Sequence, residues 1–156
     1  MPILEELSRI TARLEEEGVD YALCGGLAMA VYAMPRSTLD IDVMIESNSL
    51  TRVKQAMHDL GYTLSARPME FHGGAVEIHR LCKVGSETGE DMVLDLILVT
   101  SATREAWLSR QSVDWQEGRL HVVSPRGLIQ LKSFRSSGQD RDDIDYLRSI
   151  CDEAEN

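Results

Sequence analysis

The chain has 156 residues, of which 43% are hydrophobic and 27% charged, as in a globular protein with a core of its own. Its net charge of −10 argues against a broad electrostatic attraction to nucleic acid. The absence of a long apolar run and the acidic N-terminus predict a cytoplasmic protein without a membrane segment or signal peptide. Cys24, Cys82 and Cys151 form no C-x-x-C pair and are expected to be reduced thiols.

Helices and short apolar strands alternate in the first half of the chain. The predicted elements are a helix over residues 3–17, a strand over 19–24, a helix over 27–33, a strand over 39–45 and a helix from 49 to 60. Gly18 and Gly61 end the first and third helices, and Pro35 ends the second.

Strands dominate the middle of the chain, and two helices close it. The predicted elements are strands over residues 62–66, 75–82 and 91–99, a helix over 101–109, edge strands within 112–123, and helices over 125–136 and 140–151. A loop over 68–74 joins the first two strands, and a hairpin at 85–89 joins the next two. Ser124-Pro125 is a typical helix start. Ile144, Leu147 and Ile150 are expected on the inner face of the last helix.

Hairpins and helical crossovers occur in the same chain, which favours a mixed sheet. We therefore predict one α/β (α+β) domain over residues 1–156, with a twisted mixed β-sheet flanked by helices.

Two aspartates lie inside the second predicted strand. Asp40 and Asp42 share one face, about 6.5 Å apart at a rise of about 3.3 Å per residue. Two carboxylates this close resist joint ionisation unless a cation neutralises them, and Mg²⁺ prefers such oxygen ligands. The alternative is an exposed strand edge or a salt bridge.

A third carboxylate, Asp95, is the one charge in the apolar run 92–99. If this strand pairs with residues 39–45, Asp95 joins the same site. Three carboxylates can hold two metal ions about 3.5–4 Å apart, which orient an attacking oxygen and a leaving phosphate. A structural aspartate is the alternative.

Several residues are candidates for binding phosphate. Gly25 and Gly26 lie between a strand and a helix, where the backbone can approach an anion, although a simple turn is the alternative. Arg36 and Thr38 could contact phosphate or order the loop. Lys132 lies four residues after Leu128, so it could reach a triphosphate or extend to water.

These motifs together resemble the DNA polymerase β-like nucleotidyltransferase superfamily. The resemblance rests on Gly25-Gly26, nine intervening residues, the segment 36–42 with its Asp-x-Asp, and Asp95 on a later strand. Segments 128–135 and 139–147 resemble the AbiEii-like branch, which includes type IV toxin nucleotidyltransferases. The resemblance implies the nucleotidyltransferase fold with a C-terminal helical pair.

The resemblance also implies roles for individual residues. Asp40 and Asp42 would bind the metal, Asp95 would be the third carboxylate, Lys132 would contact the nucleotide, and Asp140 would complete the catalytic set. The implied cofactor is Mg²⁺, with Mn²⁺ as an alternative. Asp142 and Asp143, like Asp140, also suit the positive end of the helix dipole at the start of the last helix.

The sequence therefore predicts a metal-dependent nucleotidyltransferase. It would move an NMP group from a nucleoside triphosphate to a hydroxyl of an RNA, a protein or a small molecule and release pyrophosphate. A different class is the alternative: a catalytically silent nucleotide-binding protein, or a toxin–antitoxin interaction protein with a cognate antitoxin. A metal-stabilised domain without a nucleotide role is the third possibility.

Overall fold

The computed structural model describes residues 2–32, 40–85, 91–115, 118–134 and 138–155, without the side chains of 2, 138–140 and 153–155. The described helices are α1 (Pro2–Glu16), α2 (Gly25–Val31), α3 (Leu50–Asp59), α4 (Arg104–Leu108), α5 (Pro125–Lys132) and α6 (Gly138–Glu155). The described strands are β1 (Ala22–Cys24), β2 (Asp40–Ile45), β3 (Leu64–Ser65), β4 (Met69–Phe71), β5 (Val76–Lys83), β6 (Met92–Leu98), β7 (Gln111–Trp115) and β8 (Gly118–Val122).

The strands form one mixed sheet in the order β3-β5-β6-β2-β1-β8-β7, with β4 also paired to β5. The pairs β2–β6 and β1–β8 are parallel, and the other pairs are antiparallel. This arrangement confirms the predicted fold class, a mixed sheet flanked by helices. The antiparallel pairing of β5 with β6 also confirms the predicted hairpin, whose residues 86–90 lie outside the described part of the chain.

The core lies between the sheet and the helices that cover it. Strand β2 alternates between half-buried and buried residues at its start, and its last three residues are all buried. The first half of β2 therefore opens one face toward solvent, whereas the second half is enclosed. The largest fully buried side chains of the helices and of β2 are Leu7, Ile10, Leu14, Met29, Met57, Ile41, Met44 and Ile45.

The start of α5 follows the sequence prediction. The Ser124 side chain accepts a hydrogen bond from the backbone N–H of Gly127 at 3.1 Å, and Pro125 occupies the first turn. This bond satisfies one of the N–H groups that a helix start leaves without a partner. Helix α5 packs against α4 and α6, so the predicted C-terminal helical pair is present.

Three strand boundaries differ from the prediction, each for a local reason. Residues 19–21 are not part of β1, because the backbone N–H of Val19 closes the end of α1 by bonding to the Leu14 carbonyl at 2.9 Å. The strand expected over 62–66 is only β3. The expected loop over 68–74 contains β4, because its backbone pairs with β5.

The inner face of α6 also differs from the prediction. Leu147 is buried as expected, but Ile144 and Ile150 are only half-buried. Asp143 and Cys151 are the residues that share the buried stripe with Leu147, at a spacing of four. The buried face of α6 is therefore the one that carries Asp143, so a carboxylate lies in the core.

Cys24, Cys82 and Cys151 are free thiols in the structure, and Cys24 and Cys151 are buried. Within the described residues, no helix has both the length and the apolar character needed to cross a bilayer.

Glu6 of α1 contacts both a buried tyrosine and strand β5. The Tyr62 hydroxyl donates to Glu6 Oε2 at 2.9 Å, and Lys83 Nζ binds Glu6 Oε1 at 2.8 Å. We expect Tyr62→Phe to lower the free energy of unfolding by about 1.5 kcal/mol, because it removes a hydrogen bond to a charged acceptor. Urea denaturation measures this loss. Tyr146→Phe, which removes a bond to the neutral Tyr32 carbonyl, is the matched control and should cost less.

Candidate active site

A row of four side chains crosses the centre of the sheet. Cys24 of β1 lies opposite Asp42 of β2, Asp42 lies opposite Asp95 of β6, and Asp95 lies opposite Arg80 of β5. Residues directly opposite one another point to the same face of a sheet. We call Cys24, Asp42, Asp95 and Arg80 the central row. Asp40, two residues before Asp42, joins the same face, so the structure brings the three predicted carboxylates together.

Asp95 is held by Arg80, a residue that the sequence analysis did not identify. Arg80 Nε donates to Asp95 Oδ1 at 2.8 Å, and Arg80 Nη2 donates to Asp95 Oδ2 at 3.0 Å. The hydrogen bonds that Arg80 donates to Asp95 and the negative charge of Asp95 raise the pKa of Arg80, and the charge of Asp40 acts in the same direction. The aspartate side chain is only 7% exposed, compared with 40% for the arginine. Asp95 is therefore a buried carboxylate with a cation on its solvent side.

Asp42 is seated against the glycine turn. Gly25 has a φ of +68°, in the left-handed region that favours glycine. A Cβ atom added to Gly25 would overlap the carboxylate of Asp42. The glycine therefore provides the space in which Asp42 lies, a steric role that the sequence did not reveal. Gly26 follows at the start of α2, and a nucleotide contact by either glycine stays a prediction.

Lys132 is buried rather than extended to water. Its Nζ lies 2.9 Å from Asp143 Oδ2, and the side chains are 8% and 0% exposed. The alternative that Lys132 extends to water is therefore excluded, and its contact with a triphosphate stays a prediction.

Lys132 also lies close to the central row. Burial raises the pKa of the Cys24 thiol well above its usual value, the Asp42 charge raises it further, the Lys132 charge lowers it and the Asp95 charge raises it. Helix α5 thus carries a buried positive charge close enough to Cys24 to act on its thiol. Cys24 itself remains a neutral thiol and does not add to the charge of the site.

The remaining predicted residues are Asp140 of α6, and Arg36 and Thr38 between α2 and β2. Asp140 lies in the first turn of α6, and its side chain is outside the described part of the structure, as are Arg36 and Thr38 entirely. Asp143 is the α6 aspartate that the structure pairs with Lys132. Its position on the buried stripe four residues before Leu147 is a sequence signal that could have identified it.

The carboxylates suit a hard divalent cation. Asp40 and Asp42 present oxygen donors on one face, next to the gap at Gly25. Among the described residues, no three His, Cys, Asp or Glu side chains form a complete metal site. Mg²⁺ is commonly held by one or two carboxylates together with waters and substrate phosphates, so these donors fit it. The role of Asp95 as a third ligand stays a prediction.

Comparison with known proteins places this chain in a family. Residues 1–153 match the model of a family described as uncharacterised nucleotidyltransferase. Because the match covers nearly the whole chain, the protein belongs to this family. The predicted enzyme class, nucleotidyltransferase, is thereby confirmed. No curated protein gives a significant match to the sequence.

Solved structures share the fold at low sequence identity. The nucleotidyltransferase candidate TM1012 from Thermotoga maritima is 15% identical with a TM-score of 0.61, over 97% of this chain and 94% of that one. The crystal structure of ANT(2'')-Ia in complex with adenylyl-2''-tobramycin is 13% identical with a TM-score of 0.63, over 97% and 90%. The solution structure of the antibiotic-resistance factor ANT(2'')-Ia is 14% identical with a TM-score of 0.60, over 93% and 82%.

The steric role of Gly25 is testable with a matched glycine. Gly18 has the same φ of +68°, but a Cβ added there would meet nothing within 4 Å. Both Gly18→Ala and Gly25→Ala should lose about 1–2 kcal/mol of unfolding free energy to the left-handed backbone. Gly25→Ala should lose more and should also abolish nucleotidyl transfer, because the new methyl group displaces Asp42. Equal stability and equal activity of the two variants would contradict the steric role of Gly25.

Variants of the buried pair Lys132–Asp143 can distinguish a role in stability from a role in activity. Asp143→Asn should lower the free energy of unfolding by about 3 kcal/mol, because it removes the negative charge that lies 2.9 Å from the buried Lys132 ammonium group. Lys132→Met/Asp143→Leu should recover most of this loss, since apolar side chains replace both charges. The double variant should nevertheless be inactive. Thermal and urea unfolding, with an activity assay on the same samples, measure both effects, and an active double variant would make the pair purely structural.

Proposed function

We propose that this protein is a metal-dependent nucleotidyltransferase that moves an NMP group from a nucleoside triphosphate to an acceptor hydroxyl. The observation that carries the proposal is the seating of Asp42 against Gly25, with Asp40 and Asp95 on the same face of the sheet. Carboxylates gathered on one face are costly in a protein that only needs to fold. A site for a cation and an anionic substrate explains them.

In the proposed reaction, the acceptor oxygen forms a bond to the α-phosphorus. The bond between the α-phosphorus and the oxygen shared with the β-phosphate breaks, and its electron pair leaves with pyrophosphate. Asp40 and Asp42 would hold Mg²⁺ or Mn²⁺, which supplies positive charge to the phosphates. Lys132 would act as a fixed point charge toward the triphosphate, and the Gly25-Gly26 backbone would lie beside it. Positioning and charge neutralisation would supply most of the rate enhancement.

Asp95 has two possible roles in this proposal. It could be a ligand of a second metal ion, or it could accept the proton of the acceptor hydroxyl. Asp140, in the first turn of α6, would complete the site from the helical side.

The acceptor is an RNA, a protein or a small molecule. We favour a small molecule, because a chain with a net charge of −10 repels a polyanion such as RNA. The fold shared with ANT(2'')-Ia, whose crystal structure contains adenylyl-2''-tobramycin, supports testing amino-sugar hydroxyls first.

The narrower assignment to the AbiEii-like branch is also a proposal. It rests on the sequence motif around Lys132 and on the pairing of this lysine with an aspartate of α6. In this assignment the protein is cytoplasmic, and a cognate antitoxin or partner protein controls it.

The test is transfer of a label from the α-phosphate. The protein is incubated with Mg²⁺ and each labelled nucleoside triphosphate, and amino sugars, total RNA and cell protein are offered separately. We expect label in the small-molecule fraction and at least about a 100-fold loss in Asp40→Asn/Asp42→Asn, because the charge that stabilises the transition state is no longer held.

Asp114→Asn is the matched control, because it removes a carboxylate that is 94% exposed. It should leave transfer unchanged. Activity that persists in Asp40→Asn/Asp42→Asn would contradict the proposed mechanism. Binding of the nucleotide without transfer to any acceptor would favour the alternative of a silent or partner-regulated protein.

A further inference from the structure

The guanidinium of Arg80 lies where a second cation would be needed. In the proposed site, a second metal ion would need Asp95, the third carboxylate, as a ligand. Here both oxygens of Asp95 already accept hydrogen bonds from Arg80, at 2.8 Å and 3.0 Å. This two-point contact is the strongest and most directional form of an arginine–carboxylate pair.

Arg80 also faces the other carboxylates. Its opposite neighbour Asp95 is itself opposite Asp42, and the charge of Asp40 acts on the guanidinium. Arg80 therefore carries a permanent positive charge on the same face of the sheet as the predicted metal ligands. A divalent cation that entered between Asp42 and Asp95 would be repelled by this charge at short range.

We propose that Arg80 takes the place of a second metal ion, so that the resting protein binds one divalent cation through Asp40 and Asp42. A second ion binds at Asp95 only when Arg80 releases it. This inference rests on the proposed function, since it assumes that Asp40 and Asp42 form a metal site.

The exposures of the two partners indicate which side chain has room to rotate. Asp95 is 7% exposed and lies inside the sheet, whereas Arg80 is 40% exposed and reaches the carboxylate from the solvent side. The arginine can rotate into water without a change of the backbone, and the aspartate cannot. Because binding equilibria are reciprocal, release of Arg80 must strengthen metal binding by the same factor by which the metal weakens the ion pair.

The test is a titration of the full chain with Mn²⁺, in which electron paramagnetic resonance counts the free ion. Wild type should bind one Mn²⁺ per chain, and Arg80→Gln should gain a second ion or bind it at least about tenfold more tightly. Arg80→Gln/Asp95→Asn should lose the gain, because the released carboxylate is gone. Arg104→Gln is the matched control, since it removes an arginine paired to Glu46 at the opposite end of β2.

A second measurement is independent of the ion count. Arg80→Gln leaves Asp95 without its cation, so the metal-free variant should unfold at a lower temperature than wild type. Mn²⁺ should raise its unfolding temperature more than that of wild type or of Arg104→Gln. Equal Mn²⁺ binding and equal thermal shifts in Arg80→Gln and Arg104→Gln would overturn the inference.

Failure of the proposed metal site gives a different result. In that case Asp40→Asn/Asp42→Asn would bind the first Mn²⁺ as tightly as wild type. If this variant loses the first ion while Arg80→Gln behaves like wild type, the metal site stands and only the role of Arg80 is wrong.

Discussion

The site is built around two like charges held side by side. Asp42 and Asp95 are direct neighbours across β2 and β6, and adjacent strands lie about 4.8 Å apart. Opposite carboxylates at this spacing destabilise a sheet unless other groups compensate for them. Two residues next to this pair help to accommodate it. Arg80 neutralises the charge of Asp95, and Gly25, which has no side chain, leaves space for the Asp42 carboxylate. The central row is thus an electrostatic constraint on the whole sheet.

The strand order satisfies this constraint. Parallel pairing of β2 with β6 requires a long connection between them, and here that connection contains α3 and the strands β3 to β5. The last of these strands returns antiparallel to β6 and places Arg80 directly opposite Asp95. On the other side of β2, strand β1 places Cys24 beside Asp42 and leads at once into the glycine turn. The continuous segment from β2 to β6 therefore supplies the three aspartates and also the arginine that neutralises one of them.

The sequence predicts which residues share a face of one strand, because this depends only on the alternation of side chains along the strand. It does not predict which residues lie opposite one another on neighbouring strands, because this depends on the strand register. Asp40 and Asp42 share a face in any strand, so their proximity was predictable. The partner of Asp95 was not: a hairpin loop centred on residue 87 would place His79 opposite it, whereas the observed register places Arg80 there. A shift of one residue moves every side chain to the other face of the sheet. The spacing of four between Asp143 and Leu147 is visible in the sequence, but which face of α6 is buried depends on its packing against α5.

The paired cations also affect how an anionic substrate can bind. Arg80 is engaged by Asp95 and Lys132 by Asp143, so neither positive charge is available to a triphosphate without a change of partner. Of the two, Arg80 is partly exposed, and its exchange requires only a side-chain rotation. Lys132 is almost fully buried, so moving it would separate it from Asp143 inside the core. A substrate that supplies its own cation would bind with the least disturbance. In the proposed reaction, this asymmetry favours entry of the nucleotide as a metal complex, with Lys132 as a fixed charge and Arg80 as the adjustable one.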